Sequence, residues 1–547
     1  MTKRQRPTQE QINKIARTKF GYKSLRSGQQ TAINAILEGQ DTLAVMPTGS
    51  GKSAIYQIAG NLIGGTTIVI SPLLALQQDQ VESIQNRDAG GAAVINSTIT
   101  TAKREEAFEN LEQEEIEFLF LAPEQFNNPE TLERLQKSNI SLFVIDEAHC
   151  ISEWGHDFRP DYLRLGGVIE ALDHPRILAL TATAAPPVRK EIISRLGMRD
   201  PEVIVKGFDR PNIWLGVERF QDEAEKQQNL IERVMRVQKP GIVYVATKNK
   251  AEEVANALLD KGVKAIFYHA GMKAKEREQA FSAFMNDEAE VIVATTAFGM
   301  GVDKPNVRFV FHHDISDSVD SYYQEIGRAG RDGEPAKSLL FYCEKDLNIR
   351  RFFASSGKVA IEQVEQVAAT IQQQDEPINL KDLKEQTELS QAKLTTVISR
   401  LEEVGVVETL PTGEVISSEE NIEIGDAAEA AISAQENYQK FVRSRLEMMR
   451  GYAEVRDCRR KYLLNYFGET LERTCDLCDS CQAGIIVEDD GKKKPFPLNS
   501  HVVHTSWGKG EVMRYEGDKI VVLFDKVGYK TLAVELVRLR ALLKQID

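Results

Sequence analysis

Val45-Met46-Pro47-Thr48-Gly49-Ser50-Gly51-Lys52-Ser53 is the stretch whose reading decides the fold. The apolar run Thr42–Met46 feeds a Gly-rich turn that ends in Lys-Ser and opens a helix-length segment. Strand, glycine turn and helix in that order make a phosphate-binding loop. Glycines let backbone N–H groups close around phosphate oxygens, and the helix N-terminus adds a favourable dipole. On this reading Thr48, Gly49, Ser50 and Gly51 cradle the phosphates of ATP, Lys52 reaches the β- and γ-phosphates, and Ser53 holds Mg2+. The strict pattern has glycine where Met46 stands, so Gly49 and Gly51 must shape the turn. The plainer alternative, a strand-to-helix turn with a capping serine, is decided by what lies further along the chain.

Outward from this loop, short apolar runs recur at Thr67–Ile70, Phe118–Leu121, Leu142–Ile145 and Ile177–Leu180, separated by polar helix-length segments. A second set follows at Gly241–Val245, Ala265–Tyr268, Val291–Ala294, Phe309–His312 and Ser338–Tyr342. Continuous apolar strands alternating with helices predict parallel sheets covered on both faces. The expected class is therefore α/β, with two tandem parallel-sheet domains at 1–207 and 208–345. From 346 to 425, helix, turn, helix and hairpin read as a winged helix. A helical module at 426–484, a linker at 485–498 and a small β-barrel at 499–547 complete the plan.

The length of 547 residues accommodates three to four domains. At 42% hydrophobic and 27% charged residues the composition is that of an ordinary globular protein. No apolar run reaches the ~18 residues of a membrane span, and the polar start Met1–Glu10 has no signal-peptide core. The expected setting is the cytoplasm, on the nucleoid if the source is bacterial, with cysteines reduced. A net charge of −14 argues against a basic coat for nucleic acid but leaves room for a local basic channel.

Leu142-Phe143-Val144-Ile145-Asp146-Glu147-Ala148-His149 is a buried strand ending on two carboxylates. Asp146 is placed to hold the same Mg2+ as Ser53, and Glu147 to orient and deprotonate water. Gln324-Glu325-Ile326-Gly327-Arg328-Ala329-Gly330-Arg331 sets two arginines three apart in the second α/β domain. Such an arginine reaches a γ-phosphate only if ATP binds between domains, which ties hydrolysis to domain closure.

These motifs resemble the RecQ family of helicases, over roughly residues 10–355 and 435–482. The resemblance implies two RecA-like domains and a DNA-dependent ATPase. Phe20 to Gln29 resembles the family's adenine-reading motif, which implies Gln29 on the adenine edge with Tyr22, Lys23 and Arg26 around the base. Ser71 to Gln80 resembles its DNA-backbone motif, and Thr181-Ala182-Thr183 its coupling motif. Ala294 to Asp303 resembles the segment that senses nucleotide and DNA, and motif position makes Arg331 the arginine finger with Arg328 in support. Cys150-Ile151-Ser152-Glu153-Trp154-Gly155-His156-Asp157-Phe158-Arg159-Pro160 resembles the family's aromatic-rich loop. Trp154 and Phe158 offer faces to unpaired bases, Arg159 can bind phosphate, and His149 and His156 are implied to pass the signal with Thr183.

Cys458, Cys475, Cys478 and Cys481 follow C-x16-C-x2-C-x2-C, a pattern of four thiolates suited to structural Zn2+. The neighbouring Arg459, Arg460 and Lys461 add positive charge available to DNA phosphates. The winged-helix pattern precedes these cysteines rather than following them, and Glu402 and Glu403 on its recognition helix are poor for phosphate contact. Its hairpin tip Leu410-Pro411-Thr412-Gly413 carries no aromatic wedge. The last segment resembles the small Tudor-like barrel of some helicases and suggests docking of a protein or nucleic-acid partner. The resemblance implies a helicase tracking 3′ to 5′ on single-stranded DNA and unwinding duplex or branched DNA in repair and recombination. Rival readings are a translocase with weak unwinding, an RNA helicase, and an ATP-gated binding scaffold.

Overall fold

The structure, a computed structural model, describes residues 7–87, 89–152, 158–299, 302–355, 359–374, 376–410, 412–418, 423–469, 471, 473–485, 494–498 and 500–546. Trp154, His156 and the hairpin-tip Pro411 lie outside the described residues. The chain divides into two compact units: Met1–Gly207 with Gly357–Glu436, and Phe208–Ser356 with Asn437–Asp547.

The first unit is built on β1 (Thr42–Val45), β2 (Thr66–Ile70), β3 (Ala92–Ile95), β4 (Phe118–Leu121), β5 (Ile140–Ile145), β6 (Arg176–Thr181) and β7 (Glu202–Val205). They form one sheet in the order β3-β4-β2-β5-β6-β1-β7, parallel throughout. Strands β1, β2 and β4 are buried at every residue, as their unbroken apolar runs require. β6 lies between β1 and β5, so the carboxyl ends of all three are neighbours, the position where such sheets bind ligands. Met46 N donates to Thr181 O at 3.0 Å there, and Asp146 N to Ile70 O at 2.8 Å.

The second unit opens on β8 (Ile213–Phe220), β9 (Gly241–Tyr244), β10 (Ala265–Tyr268), β11 (Val291–Ala294), β12 (Phe309–His312) and β13 (Ala336–Cys343). Their order is β10-β11-β9-β12-β13-β8, again parallel. Lys226 is fully buried beside this sheet, with its Nζ 2.8 Å from Asp346, 2.9 Å from Glu223 and 3.3 Å from Asp314. Burial opposes its charge, but the two aspartates win and hold its pKa well above the ordinary lysine value. Glu223, His313 and Asp314 have the chemistry of a metal triad. The Lys226 ammonium already supplies the positive charge among these carboxylates.

Helices Ile361–Gln372, Leu380–Thr387 and Gln391–Glu403 and the hairpin β14 (Val407–Thr409)–β15 (Val415–Ser417) give the expected winged-helix order. Val364, Val367, Leu394, Val397, Leu401 and Val415 make their core. Within the first unit this module leans on the sheet domain. Arg195 Nη1 lies 3.6 Å from Glu402 Oε2 on the third of these helices. Gly413 of the hairpin sits so close to Arg164 that a Cβ there would stand 2.7 Å from its Nη1.

In the second unit the C-terminal segment forms β16 (His501–His504), β17 (Gly508–Glu516), β18 (Lys519–Phe524), β19 (Gly528–Ala533) and β20 (Leu543–Gln545). The sheet is antiparallel in the order β19-β18-β17-β16-β20, around Val502, Val512, Ile520, Val522, Phe524 and Val537. Its other side is fastened to the rest of the unit. Buried Arg514 stacks 4.6 Å over the Tyr462 ring and donates to its hydroxyl at 3.0 Å, and Tyr529 N donates to Ser444 Oγ at 3.0 Å.

Candidate active site

Gly49 and Gly51 both take φ of 76°, a left-handed backbone that glycine adopts without cost. Met46, at the position of the missing glycine, turns its side chain into the core, with Cε against Gly28, and is 3% exposed. Only its backbone faces the loop, and its carbonyl accepts from Lys52 Nζ at 3.2 Å. That is why the departure from the strict pattern is harmless. Ser53 begins the helix Ser53–Ile63, and the buried Ser50 hydroxyl has no protein partner.

Gln29 is buried under this loop. Its Nε2 donates to Ser50 O at 3.0 Å and Gly51 O at 2.9 Å, and its Oε1 accepts from Arg26 N at 2.8 Å. Arg26 Nη1 donates to Gly49 O at 3.2 Å. The residues expected to read adenine are therefore wired to the phosphate loop itself. Tyr22 packs beside Phe20 and lies 3.5 Å from Gln57 Oε1, with Lys23 exposed next to it.

Asp146 and Glu147 follow β5 directly. Asp146 Oδ1 accepts from Glu147 N at 3.0 Å, and Tyr162 OH donates to Asp146 O at 3.0 Å. Burial, reinforced by the Glu147 charge and opposed by Lys52, pushes Asp146 up to about 7. Glu147 has φ of 48°, a left-handed conformation that costs a non-glycine residue about 1–3 kcal/mol. Its buried Oε2 accepts no hydrogen bond and lies 3.3 Å from His149 Nδ1. That nitrogen lies 2.9 Å from Thr181 Oγ1, which in turn donates to Thr183 O at 3.0 Å. Carboxylate, imidazole and the end of β6 thus form one connected line. The hard oxygens of Ser53 and of half-buried Asp146 are a donor set that fits Mg2+.

The aromatic-rich loop is described only at its ends. Ser152 Oγ donates to Glu191 Oε2 at 2.5 Å. Beyond 153–157, Phe158 is half-buried, and Arg159 donates through N to Cys150 O at 2.9 Å and through Nη1 to Pro72 O at 3.5 Å. Arg159 therefore joins this loop to the segment Ser71–Gln80.

In the second unit Arg331 Nη1 donates to Asp303 Oδ1 at 2.6 Å and Val302 O at 2.7 Å. Burial and the nearby Arg328 lower its pKa, with Asp303 opposing. Arg328 is buried, with its Nε lacking a partner.

The four cysteine sulfurs lie within 4.8 Å of one another, with Cys475 and Cys481 3.8 Å apart. Four sulfurs at ~2.3 Å around Zn2+ stand ~3.8 Å from each other, so the residues fit this ion. Cys478 bridges Leu215 on β8, the free edge of the second sheet, and Asp479 Oδ2 accepts from Val217 N at 2.9 Å. Arg459 and Arg460 are buried and paired to Asp479 and Asp209. The expectation that they meet DNA phosphates is thereby corrected: Arg460 also donates to Ile213 O of β8 at 2.7 Å, and Arg459 to Tyr452 O at 2.7 Å within the module. Sequence reading missed this, as it missed Tyr162, Glu191 and Arg195, because no local spacing signals a contact between distant segments.

Three families match this chain: DEAD/DEAH box helicase over residues 26–192, helicase conserved C-terminal domain over 225–333 and RecQ zinc-binding over 416–482. The probable ATP-dependent DNA helicase RecS of Bacillus subtilis (strain 168) is 41% identical over 358 residues, 65% of this chain and 72% of that protein. The ATP-dependent DNA helicase RecQ of Pasteurella multocida (strain Pm70) is 36% identical over 466 residues, 84% of this chain and 61% of that protein. The crystal structure of the DUF1998 helicase MrfA bound to DNA is similar in fold, with a TM-score of 0.52 and 18% identity, over 78% of this chain and 61% of that one.

Proposed function

This chain belongs to the RecQ family of ATP-dependent DNA helicases, and from that premise we propose that it converts ATP hydrolysis into 3′-to-5′ movement along single-stranded DNA and parts duplex or branched DNA in repair and recombination. The observation that carries this reading is the line from Glu147 through His149 and Thr181 to Thr183. It gives a hydrolytic carboxylate a connection to the end of β6, beside the β1 end that opens the phosphate loop.

The residues divide the work as follows. Backbone N–H groups of Gly49 to Lys52 hold the phosphates, and Lys52 leaves the Met46 carbonyl to neutralise them. Ser53 and Asp146 hold Mg2+, which supplies the positive charge that offsets charge building on the phosphoryl oxygens. Glu147 takes the proton of the attacking water, its orphaned oxygen being the acceptor. Arg331 exchanges Asp303 for the γ-phosphate as the finger, with Arg328 beside it. Gln29 holds the loop through Ser50 and Gly51 and, with Tyr22, Lys23 and Arg26, makes loop geometry responsive to adenine. Phe158, Arg159, Trp154 and His156 engage the unpaired strand, and Arg159 relays its presence to Pro72. The cysteines hold Zn2+ as a structural clasp, and the protein works in the cytoplasm, on the nucleoid if its source is bacterial.

Substituting Glu147 by glutamine tests the reading. DNA-stimulated ATPase should vanish while affinity for single-stranded DNA persists, and full stimulated turnover in this variant would refute the assignment. A translocase with weak unwinding is the second reading, favoured by the packing of Glu402 and Gly413 onto the sheet domain. Forked-duplex unwinding measured beside ATPase separates the two.

A further inference from the structure

The family matches end at residue 482, and the chain beyond it has a charge of its own. Residues 483–547 hold eleven Lys and Arg against nine Asp and Glu, a slightly positive segment on a chain of net charge −14. Three of the described basic side chains, Lys509, Lys526 and Lys530, lie at one end of the C-terminal sheet. There the turn after β16 and the turn after β18 meet, because His504 pairs with Gly508 and Asp525 N donates to Lys509 O at 3.0 Å. Lys509, at the start of β17, and Lys526, in the turn after β18, are exposed. Lys530, opposite Val522 on β19, lies 5.8 Å from the Trp507 ring centre. Asp525 is the acidic residue of the two turns.

Trp507 stands among these lysines, half-buried and held flat. Its ring stacks on buried His504 at 4.1 Å and 14°, and meets the edge of Phe524 at 5.4 Å. His504 is itself fixed, since its Nδ1 accepts from Ser506 N at 3.1 Å. An indole stacked on one side by a fixed imidazole, with an ammonium 5.8 Å from its centre, is a pre-ordered stacking platform.

We propose that this end of the C-terminal sheet is a second binding site for single-stranded DNA. One base stacks on Trp507 by displacing the Lys530 ammonium sideways. Lys509, Lys526 and Lys530 then neutralise the flanking phosphates. The choice of DNA as the polymer rests on the helicase reading, while the stacking and charge do not. The sheet is fastened through Arg514 and Tyr529 to the helices of its unit. A strand held here stays with the second unit between steps.

The test uses the full chain without nucleotide and a labelled oligo-dT of about 30 nucleotides, read by anisotropy across a salt series. Trp507→Ala should weaken binding about fivefold or more, as loss of one stacked base does, and Trp507→Phe should restore most of it. The triple variant Lys509→Gln, Lys526→Gln, Lys530→Gln should lower the slope of log affinity against log salt by about 2, from three lost contacts at ~0.7 each. DNA-free ATPase should equal the parent's in every variant. Unchanged affinity and slope would overturn the proposal, as would Trp507-dependent capture of an acidic peptide or an RNA oligomer with none of oligo-dT. Should the helicase reading itself fail, DNA would cease to stimulate the parent's ATPase while the Trp507-dependent affinity remained.

Discussion

Glu147 carries its role in its backbone. A residue held at φ of 48° with a buried oxygen lacking a hydrogen bond is kept there by its surroundings. Glu147→Gln should lower stimulated ATPase by about 10²–10⁴-fold, the range for losing a general base, as followed by phosphate release. Asp146 gives a pH signature. Its folded value of about 7 lies above the ~3.9 of an unfolded chain. Below about pH 3 the carboxyl is mostly protonated in both states and costs little. As pH rises toward 7 the unfolded chain ionises first, so the metal-free fold loses stability, and above about 7 the penalty is complete. Asp146→Asn in chelator should therefore melt above the parent at pH 8, with the gap closing toward about pH 3. Gly51→Ala should abolish nucleotide binding in a filter assay, since it forces a side chain into left-handed backbone and within 2.7 Å of Gln29 Nε2.

Elements were legible wherever a local period exists. The buried strands show as unbroken apolar runs, and the cysteine spacing shows the metal cluster. Partners were not legible. Arg459 and Arg460 read as free charge, yet Asp209 and Asp479 come from distant segments. Met46 stood only as a departure from the strict glycine pattern, because sequence does not say which way a side chain points. No motif or spacing singles out Lys226, yet it is the centre of a buried ionic group. Lys226→Met leaves Asp314 and Asp346 without their cation and should cost about 3–5 kcal/mol in denaturant unfolding. The third helix of the winged-helix module, Gln391–Glu403, spends Glu402 on Arg195, and Ser152 at the mouth of the aromatic-rich loop is bonded to Glu191 one turn before Arg195. Arg195→Ala should uncouple the module from that loop and change the DNA concentration giving half-maximal ATPase, with DNA-free turnover unaltered.

In each unit a sheet of parallel strands carries the candidate site residues, and later segments are fastened within their unit by buried side chains rather than by linkers alone. Tyr462 receives Arg514 of the C-terminal sheet, and Cys478 lies along β8. That last contact has a consequence for handling and survival. β8 is the open border of the second sheet, and a bare border strand recruits other chains. The cysteine loop covers it, and the loop keeps its shape only while its sulfurs are gathered. Loss of the ion would expose a sticky margin as well as loosening one module, so stripped protein should clump on standing before it unfolds. Light scattering during chelation, followed alongside circular dichroism, would register that order of events.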